Sequence, residues 1–440
     1  MSFRPSKRRR CLSPRRKEPS DIIYKAAVPS MDSGRDLTAA NTISPLESEN
    51  KGKIIAPQAT TLRRPRLSHA EYTVGWVCAL PIELAAARAM LDEVHEELPR
   101  FLKHDNNCYT LGRIGRHNIV IAALPCGEYG TSTAASVVSN MRHSFPNIRI
   151  GLMVGIGGGA PSTKHDVRLG DVVVSLPENG KSGVIQYDYG KTFQGKRIHN
   201  TRVLNQPPSI MRTVINVLKT DEELHGNQLR DVIETAYDRY PKLRNNYSRP
   251  DAKTDRLYRS DITHDEQLCC TNYDDASRLV ERPLRTGLEN EPVIHYGTIA
   301  SGNQVMRDAS LRDKLASEQD VLCFEMEAAG IMNELPTLVI RGISDYADTH
   351  KNDVWQRYAS LSAAAYARKL LNRLPPPVTT LYPNTRSYPR IGEKLQPYQA
   401  LLALRQIPYR GRQSHYRYPF TSMQKILTNC KIKALKLILI

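Results

Sequence analysis

Residues 72–80, YTVGWVCAL, form a continuous apolar run followed at once by Pro81 and the helical pattern IELAAARAMLDEVHEEL. A strand that is apolar on both faces has to be covered on both, as strands inside parallel sheets are. Proline near the first helical position marks where the next helix begins. The same rhythm continues along the chain. NIVIAAL (118–124), IRIGLMVGIG (148–157), DVVVSL (171–176), VIHYGTIAS (293–301) and TLVIRGIS (337–344) read as strands, and STAASVVSNMRHSF and YASLSAAAYARKLLNRL read as helices. Alternating strands and helices predict an α/β fold with a largely parallel sheet covered on both faces.

Charge separates the tails from this core. The formal net charge is +17, but residues 1–70 carry fifteen Lys/Arg against six Asp/Glu and residues 375–440 carry eleven against one, leaving 71–374 slightly acidic. A basic chain ordinarily suggests a nucleic-acid partner. Here the excess lies outside the core, so the core is not expected to bind nucleic acid. Residues 1–70 read as a disordered basic leader, in which PSKRRRCLSPRRK is a nuclear-localisation candidate as well as a plain solvated tail. Residues 375–440 read as a basic, poorly ordered tail. Residues 205–290 interrupt the strand–helix rhythm and read as a polar insertion at the edge of the 71–374 domain.

The eight cysteines are scattered, and only Cys269 and Cys270 are adjacent. Adjacency without a C-x-x-C partner pair is poor evidence for a metal site, so the expectation is reduced thiols, no metal and a cytoplasmic setting, with nuclear import as the alternative. No run approaches the ~18 apolar residues of a membrane-spanning helix.

The run VLCFEMEAAGIM (321–332) places Glu325 and Glu327 among apolar residues. A carboxylate removed from water needs a partner, and a glutamate at a helix start finds one in the free backbone N–H groups. A second explanation is a ligand. Glu83 in ALPIEL, Glu327 in FEMEAAG and Asp345 in RGISDYAD each fall at a strand end or the start of the next helix, where α/β sheets bind ligands. Between them lies VGIGGGAP (154–161), whose glycines permit close backbone approach. It has neither G-x-G-x-x-G spacing nor a P-loop lysine, which disfavours those two nucleotide sites.

ALPIEL, VGIGGGAP, RLGDVVVS, ASGNQV, CFEMEAAG and RGISDYAD, in this order, resemble the nucleoside phosphorylase/nucleosidase family over about residues 72–374. Within it they are most similar to the fungal version found as an effector domain of immune receptor-like proteins. The resemblance implies a three-layer α/β/α fold with a central, mostly parallel mixed sheet. It also implies cleavage of the N-glycosidic bond of a purine nucleoside or nucleotide without a cofactor, in a homo-oligomer.

By the same resemblance, Glu327 accepts hydrogen bonds from the ribose 2′- and 3′-hydroxyls, and Met326 packs on the sugar. Glu325 belongs to the substrate site, and Glu83 holds water. Asp345 protonates the departing base at N7, for which burial or a neighbouring carboxylate would keep it protonated; its alternative role is a helix N-cap. Asn303, Gln304 and Val305 recognise the base edge, and Gly155, Gly157 and Gly158 line the ligand loop. Tyr187 and Tyr189 are either pocket residues or packing.

Two departures bear on the co-substrate. Phosphorylases of the family carry an Arg just before the glycine loop, where this chain has Met153 and Val154. Hydrolytic members place a small hydroxyl residue inside the loop, where it has Ile156. Hydrolysis is therefore expected, with phosphate-dependent cleavage and non-catalytic nucleoside sensing as alternatives.

Overall fold

The computed structural model describes residues 64–99, 103–191, 199–200, 203–264, 276–283, 285 and 291–376. The chain divides into Met1–Leu62 and Arg63–Ile440, and every described residue belongs to the second unit. The leader up to residue 63, its basic cluster, the Cys269–Cys270 pair and the tail beyond residue 376 lie outside the described residues.

Strand β1 (Val74–Cys78) is wholly buried and leads into α1 (Pro81–Ala89), with Pro81 at the helix start. The short β2 (Glu93–Val94), β3 (Tyr109–Ile114) and β4 (His117–Ala123) form an antiparallel edge. Helix α2 (Thr131–Ser144) precedes β5 (Ile150–Gly159), and β6 (Val172–Ser175), β7 (Val184–Gln186), β8 (Gly190–Lys191) and β9 (His199–Asn200) follow. Three helices occupy the polar segment: α3 (Ser209–His225), α4 (Leu229–Arg239) and α5 (Pro241–Tyr247). The chain then runs through β10 (Ile294–Ser301), α6 (Ala309–Gln319), β11 (Val321–Glu325), the single turn α7 (Ala328–Ile331), β12 (Thr337–Asp345) and α8 (Gln356–Arg373).

The main sheet has the order β11-β10-β6-β12-β5-β1-β4-β3-β2, with β7 beside β10. Its centre is parallel: β5 pairs with β1 on one side and β12 on the other, and β1 continues to β4. The β12–β6 pair and the β2–β3–β4 edge are antiparallel, so the sheet is mixed, as the motifs imply. Every residue of β12 is buried, and α8 buries twelve residues, six of them Ala or Ser between Ala359 and Ala365. Small side chains let α8 approach closely; the carbonyl of Ala359 occupies the space a side chain at Gly342 would need.

The glycine run forms strand, not loop. Gly155, Gly157, Gly158 and Gly159 all lie in β5, where Gly158 and Gly159 also pair antiparallel with Phe324 and Cys323 of β11. A Cβ at Gly158 would stand 2.8 Å from Asp345 Oδ1 and 2.9 Å from Ala347 Cβ, and one at Gly159 2.8 Å from Ile343 Cγ2, so side chains have little room there. No helix among the described residues is long and apolar enough to cross a membrane.

Candidate active site

The carboxyl ends of β1, β5, β11 and β12 surround a cavity of about 310 Å³. It is the place a parallel sheet offers a ligand, because the strands stop there and their following segments diverge. Glu83, the Glu325–Glu327 pair and Asp345 reach it from three separate segments, together with Met326, Gln304, Val305, Gly157 and Gly158. Glu83 bends back from the first turn of α1. Its Oε2 accepts from the backbone N–H of Ala79 and Leu80 at 2.7 and 2.9 Å, and its Oε1 accepts from that of Ile156 at 2.8 Å. Burial nevertheless raises its pKa, against the pull of Arg341 and these three N–H groups.

Arg341, in the middle of β12, is the residue that lets carboxylates occupy this core. Its side chain is 1% exposed. Its Nη2 donates to Glu325 Oε2 and, at 3.2 Å, to Glu327 Oε2, while Nη1 donates to the carbonyl of Ile156 at 3.2 Å. Burial would lower the guanidinium pKa, but Glu325, Glu327 and Glu83 together raise it. The sequence reading missed Arg341. A lone cation inside the apolar strand TLVIRGIS was its signal, since a buried charge needs a partner.

The two glutamates of the FEMEAAG run divide their roles. Glu325 ends β11 and accepts from the backbone N–H of Glu327 and Ala328, so the helix-start explanation belongs to Glu325. Glu327 takes a 3.2 Å bond from Arg341, has the backbone N–H of Gly130 as a second donor, and lines the cavity. Burial pushes its pKa up to about 7; Arg341 opposes this, and Glu325 and Glu83 add to it.

Asp345 ends β12, and α8 begins only at Gln356, so it is not a helix cap. Its Oδ2 accepts from Ser344 Oγ at 2.8 Å and from Lys351 Nζ at 2.7 Å, and its Oδ1 accepts from the N–H of Ala347 at 3.0 Å. Of the two expected surroundings, burial or a neighbouring carboxylate, Asp345 has burial, and its direct charged partner is an ammonium. Lys351, in a polar loop, gave no sequence signal.

Some expected site residues do other work. Asn303 does not line the cavity: its Oδ1 accepts from the N–H and hydroxyl of Thr131 at 3.0 and 2.9 Å, and its own backbone N–H donates to Asp188 at 2.7 Å. That side chain is spent tying the 302–305 segment to α2. Gly155 lies beneath the cavity. A Cβ there would overlap Glu83 Oε1 and stand 2.7 Å from Arg341 Nη1, so the glycine is what lets these charges meet. Tyr187 does not line the cavity either; its hydroxyl donates to the Gln304 carbonyl at 2.8 Å and its ring meets Phe324 edge-on, which makes it packing, while Tyr189 is half exposed. Met153 and Val154 are buried core residues and bring no cation to the site. The cavity also receives Tyr129, Met306 and Arg307, which the sequence reading did not single out.

Over residues 73–372 the chain matches the Phosphorylase superfamily, and it belongs to that family. It is 45% identical over 314 residues to a nucleotide-binding leucine-rich repeat (NLR)-like protein of Hyaloscypha variabilis, a match covering 71% of this chain and 30% of that one. The chain therefore spans under a third of this relative. It is 27% identical over 315 residues to a 5′-methylthioadenosine/S-adenosylhomocysteine nucleosidase of Mycobacterium bovis, covering 69% of this chain and 97% of that one. A 106-residue stretch is 35% identical to the ATP nucleosidase Cap17 of Escherichia coli, covering 20% and 21% of the two chains.

Proposed function

We propose that the chain hydrolyses the N-glycosidic bond of a purine nucleoside or nucleotide and releases the free base. The observation that carries this reading is the charge of the cavity floor. Glu83, Glu325 and Glu327 surround a single guanidinium that is already bonded to Glu325, Glu327 and the Ile156 carbonyl. Such a floor suits a cationic sugar and a neutral water, while the cations Arg307 and Lys351 lie elsewhere on the lining.

In this reading, bond breaking leaves positive charge on the ribose, which Glu327 faces while its carboxylate accepts from the adjacent hydroxyls. Glu83 accepts a proton from the attacking water as oxygen bonds to C1′. The electron pair of the broken C–N bond goes to the base, and Asp345 relays to N7 a proton that the Lys351 ammonium bonded to its Oδ2 gives up, leaving a neutral lysine amine. Ser344 and Lys351 hold Asp345 in place from the other side. Met326 supports the sugar, and Gln304 and Val305 face the base. The nucleosidases among the relatives support this chemistry.

The test is incubation of the protein with a panel of purine nucleosides and nucleotides, with and without phosphate, followed by chromatography of base and sugar. Base release without phosphate supports hydrolysis; strict phosphate dependence with a ribose 1-phosphate product would overturn it. A second reading, a nucleoside-sensing effector module, is favoured by the NLR-like relative. Ligand binding with no base released from any member of the panel would establish it.

A further inference from the structure

The outward face of α3 carries an apolar stripe that no described residue covers. The inward face is ordinary: Met211, Val214, Ile215 and Leu218 are buried, and the helix packs on α8. On the other side Ile210, Val217 and Leu224 stand seven residues apart and are 40, 43 and 68% exposed. Thr213 and Thr220, also exposed, fill the positions between them. Their hydroxyls donate back to the carbonyls of Ser209 and Asn216 at 3.1 and 3.0 Å, so neither needs a polar partner from outside.

Ile210, Thr213, Val217, Thr220 and Leu224 thus follow the alternating three- and four-residue spacing by which one helix receives another. Exposed apolar residues scattered singly are ordinary, but a row of them in register along one helix marks a contact.

The chain itself supplies a match. Residues 420–440, FTSMQKILTNCKIKALKLILI, lie outside the described residues, yet their sequence repeats the same spacing in Phe420, Met423, Leu427, Cys430, Ala434 and Leu437. They hold four lysines and no Asp or Glu, whereas the last turns of α3 hold Asp221, Glu222 and Glu223. Lys431 and Lys433 border the apolar seam, where charges select a partner.

The path is open as well. Arg373, at the end of α8, donates to Asp221 Oδ2, so the chain leaves the described fold beside the acidic end of α3. Residues 377–419 can span more than ~100 Å when extended, whereas α3 is only about 25 Å long. A segment tethered this way meets the stripe at an effective concentration that a free partner has to exceed.

We propose that residues 420–440 dock as an amphipathic helix along α3 of their own chain, seating Leu427 and its heptad neighbours on Ile210, Val217 and Leu224. The contact lies outside the active-site cavity and is independent of the nucleosidase chemistry.

Hydrogen exchange of the full chain, read by mass spectrometry, tests this. In wild type the amides of 420–440 should exchange at least about tenfold more slowly than an unstructured peptide of that sequence, and equally so at about 1 and about 50 μM protein. Val217→Asp, at an exposed position, and Leu427→Asp should each return them to the unstructured rate while β5 and β12 stay as protected as before. Should Val217→Asp fail to fold, the Leu427 variant decides alone. Unstructured rates in wild type overturn the inference, as does protection that a folded variant retains. Protection lost on dilution also overturns it, and gives the stripe to a second copy of the chain.

Discussion

Arg341 Nη2 lies 3.2 Å from Glu327 Oε2 and bonds Glu325 Oε2 as well, so one buried guanidinium on β12 serves two carboxylates from the end of β11. The bond to Glu325 is the closer of the two, and Glu325 is further held by two backbone N–H groups. Glu327 is therefore the more weakly satisfied. A ligand hydroxyl gains most where a buried acceptor has most left to give.

Removing the guanidinium should expose how much the carboxylates depend on it. Arg341→Met keeps much of the apolar stem and leaves Glu83, Glu325 and Glu327 without their cation. Breaking a buried pair in this way costs roughly 3–5 kcal/mol. Urea unfolding of the variant should show a loss of that order at pH 7. A loss below about 1 kcal/mol would mean that the carboxylates simply take up protons in its absence.

The parallel core was legible because strands buried on both faces leave continuous apolar runs, as in Val74–Cys78 of β1 and Thr337–Asp345 of β12, where the pattern needs no tertiary information. β3 and β11 carry a weaker signal. YTLGRI mixes polar and apolar residues at a sheet edge, and VLCFE runs straight into the FEMEAAG motif. Within the site, Glu83, Glu327 and Asp345 stand out by their positions at strand ends. What joins them does not, since Arg341 meets Glu325 sixteen residues away and Lys351 meets Asp345 across a loop. Asn303 misleads for the same reason: a polar side chain beside a site looks alike in sequence whether it faces the ligand or Thr131.

The raised Glu327 pKa makes stability depend on pH. Its folded value is about 7 against an ordinary 4.5, so between these values the folded chain holds a proton that the unfolded chain has released. Stability from this group therefore falls as pH rises through that window, and the loss is complete above about 7. Glu327→Gln cannot ionise. It should unfold at a higher temperature than wild type at about pH 8, with the difference shrinking toward about pH 4. A variant less stable than wild type at the higher pH would show that the Arg341 contact outweighs burial.

Gly155→Ala tests the close approach beneath the cavity. The added Cβ collides with Glu83 and crowds Arg341, both held by several hydrogen bonds and neither able to retreat. Overpacking of this kind costs about 1–3 kcal/mol. Catalysis should fall with it, because Glu83 is displaced from the Ile156 N–H. Full activity at unchanged stability would show that β5 shifts to accommodate a methyl group.

The last prediction separates the two carboxylates that face substrate. Asp345→Asn keeps the shape but cannot donate a carboxylic proton, so turnover should fall by roughly two to four orders of magnitude while substrate binding changes less. Glu327→Gln removes the charge facing the ribose and one acceptor, so both binding and turnover should weaken. A 2′-deoxyribose substrate already lacks part of that interaction. The Gln substitution should therefore harm it less than the ribose form, a double-mutant cycle with one partner on the substrate. Because Glu325 is taken up by Arg341 and two backbone N–H groups, Glu325→Gln should show no such difference between the two sugars. Equal losses on both sugars for Glu327→Gln, with folding intact, would mean that Glu327 does not touch the 2′-hydroxyl, and that its place beside Arg341 serves the fold alone.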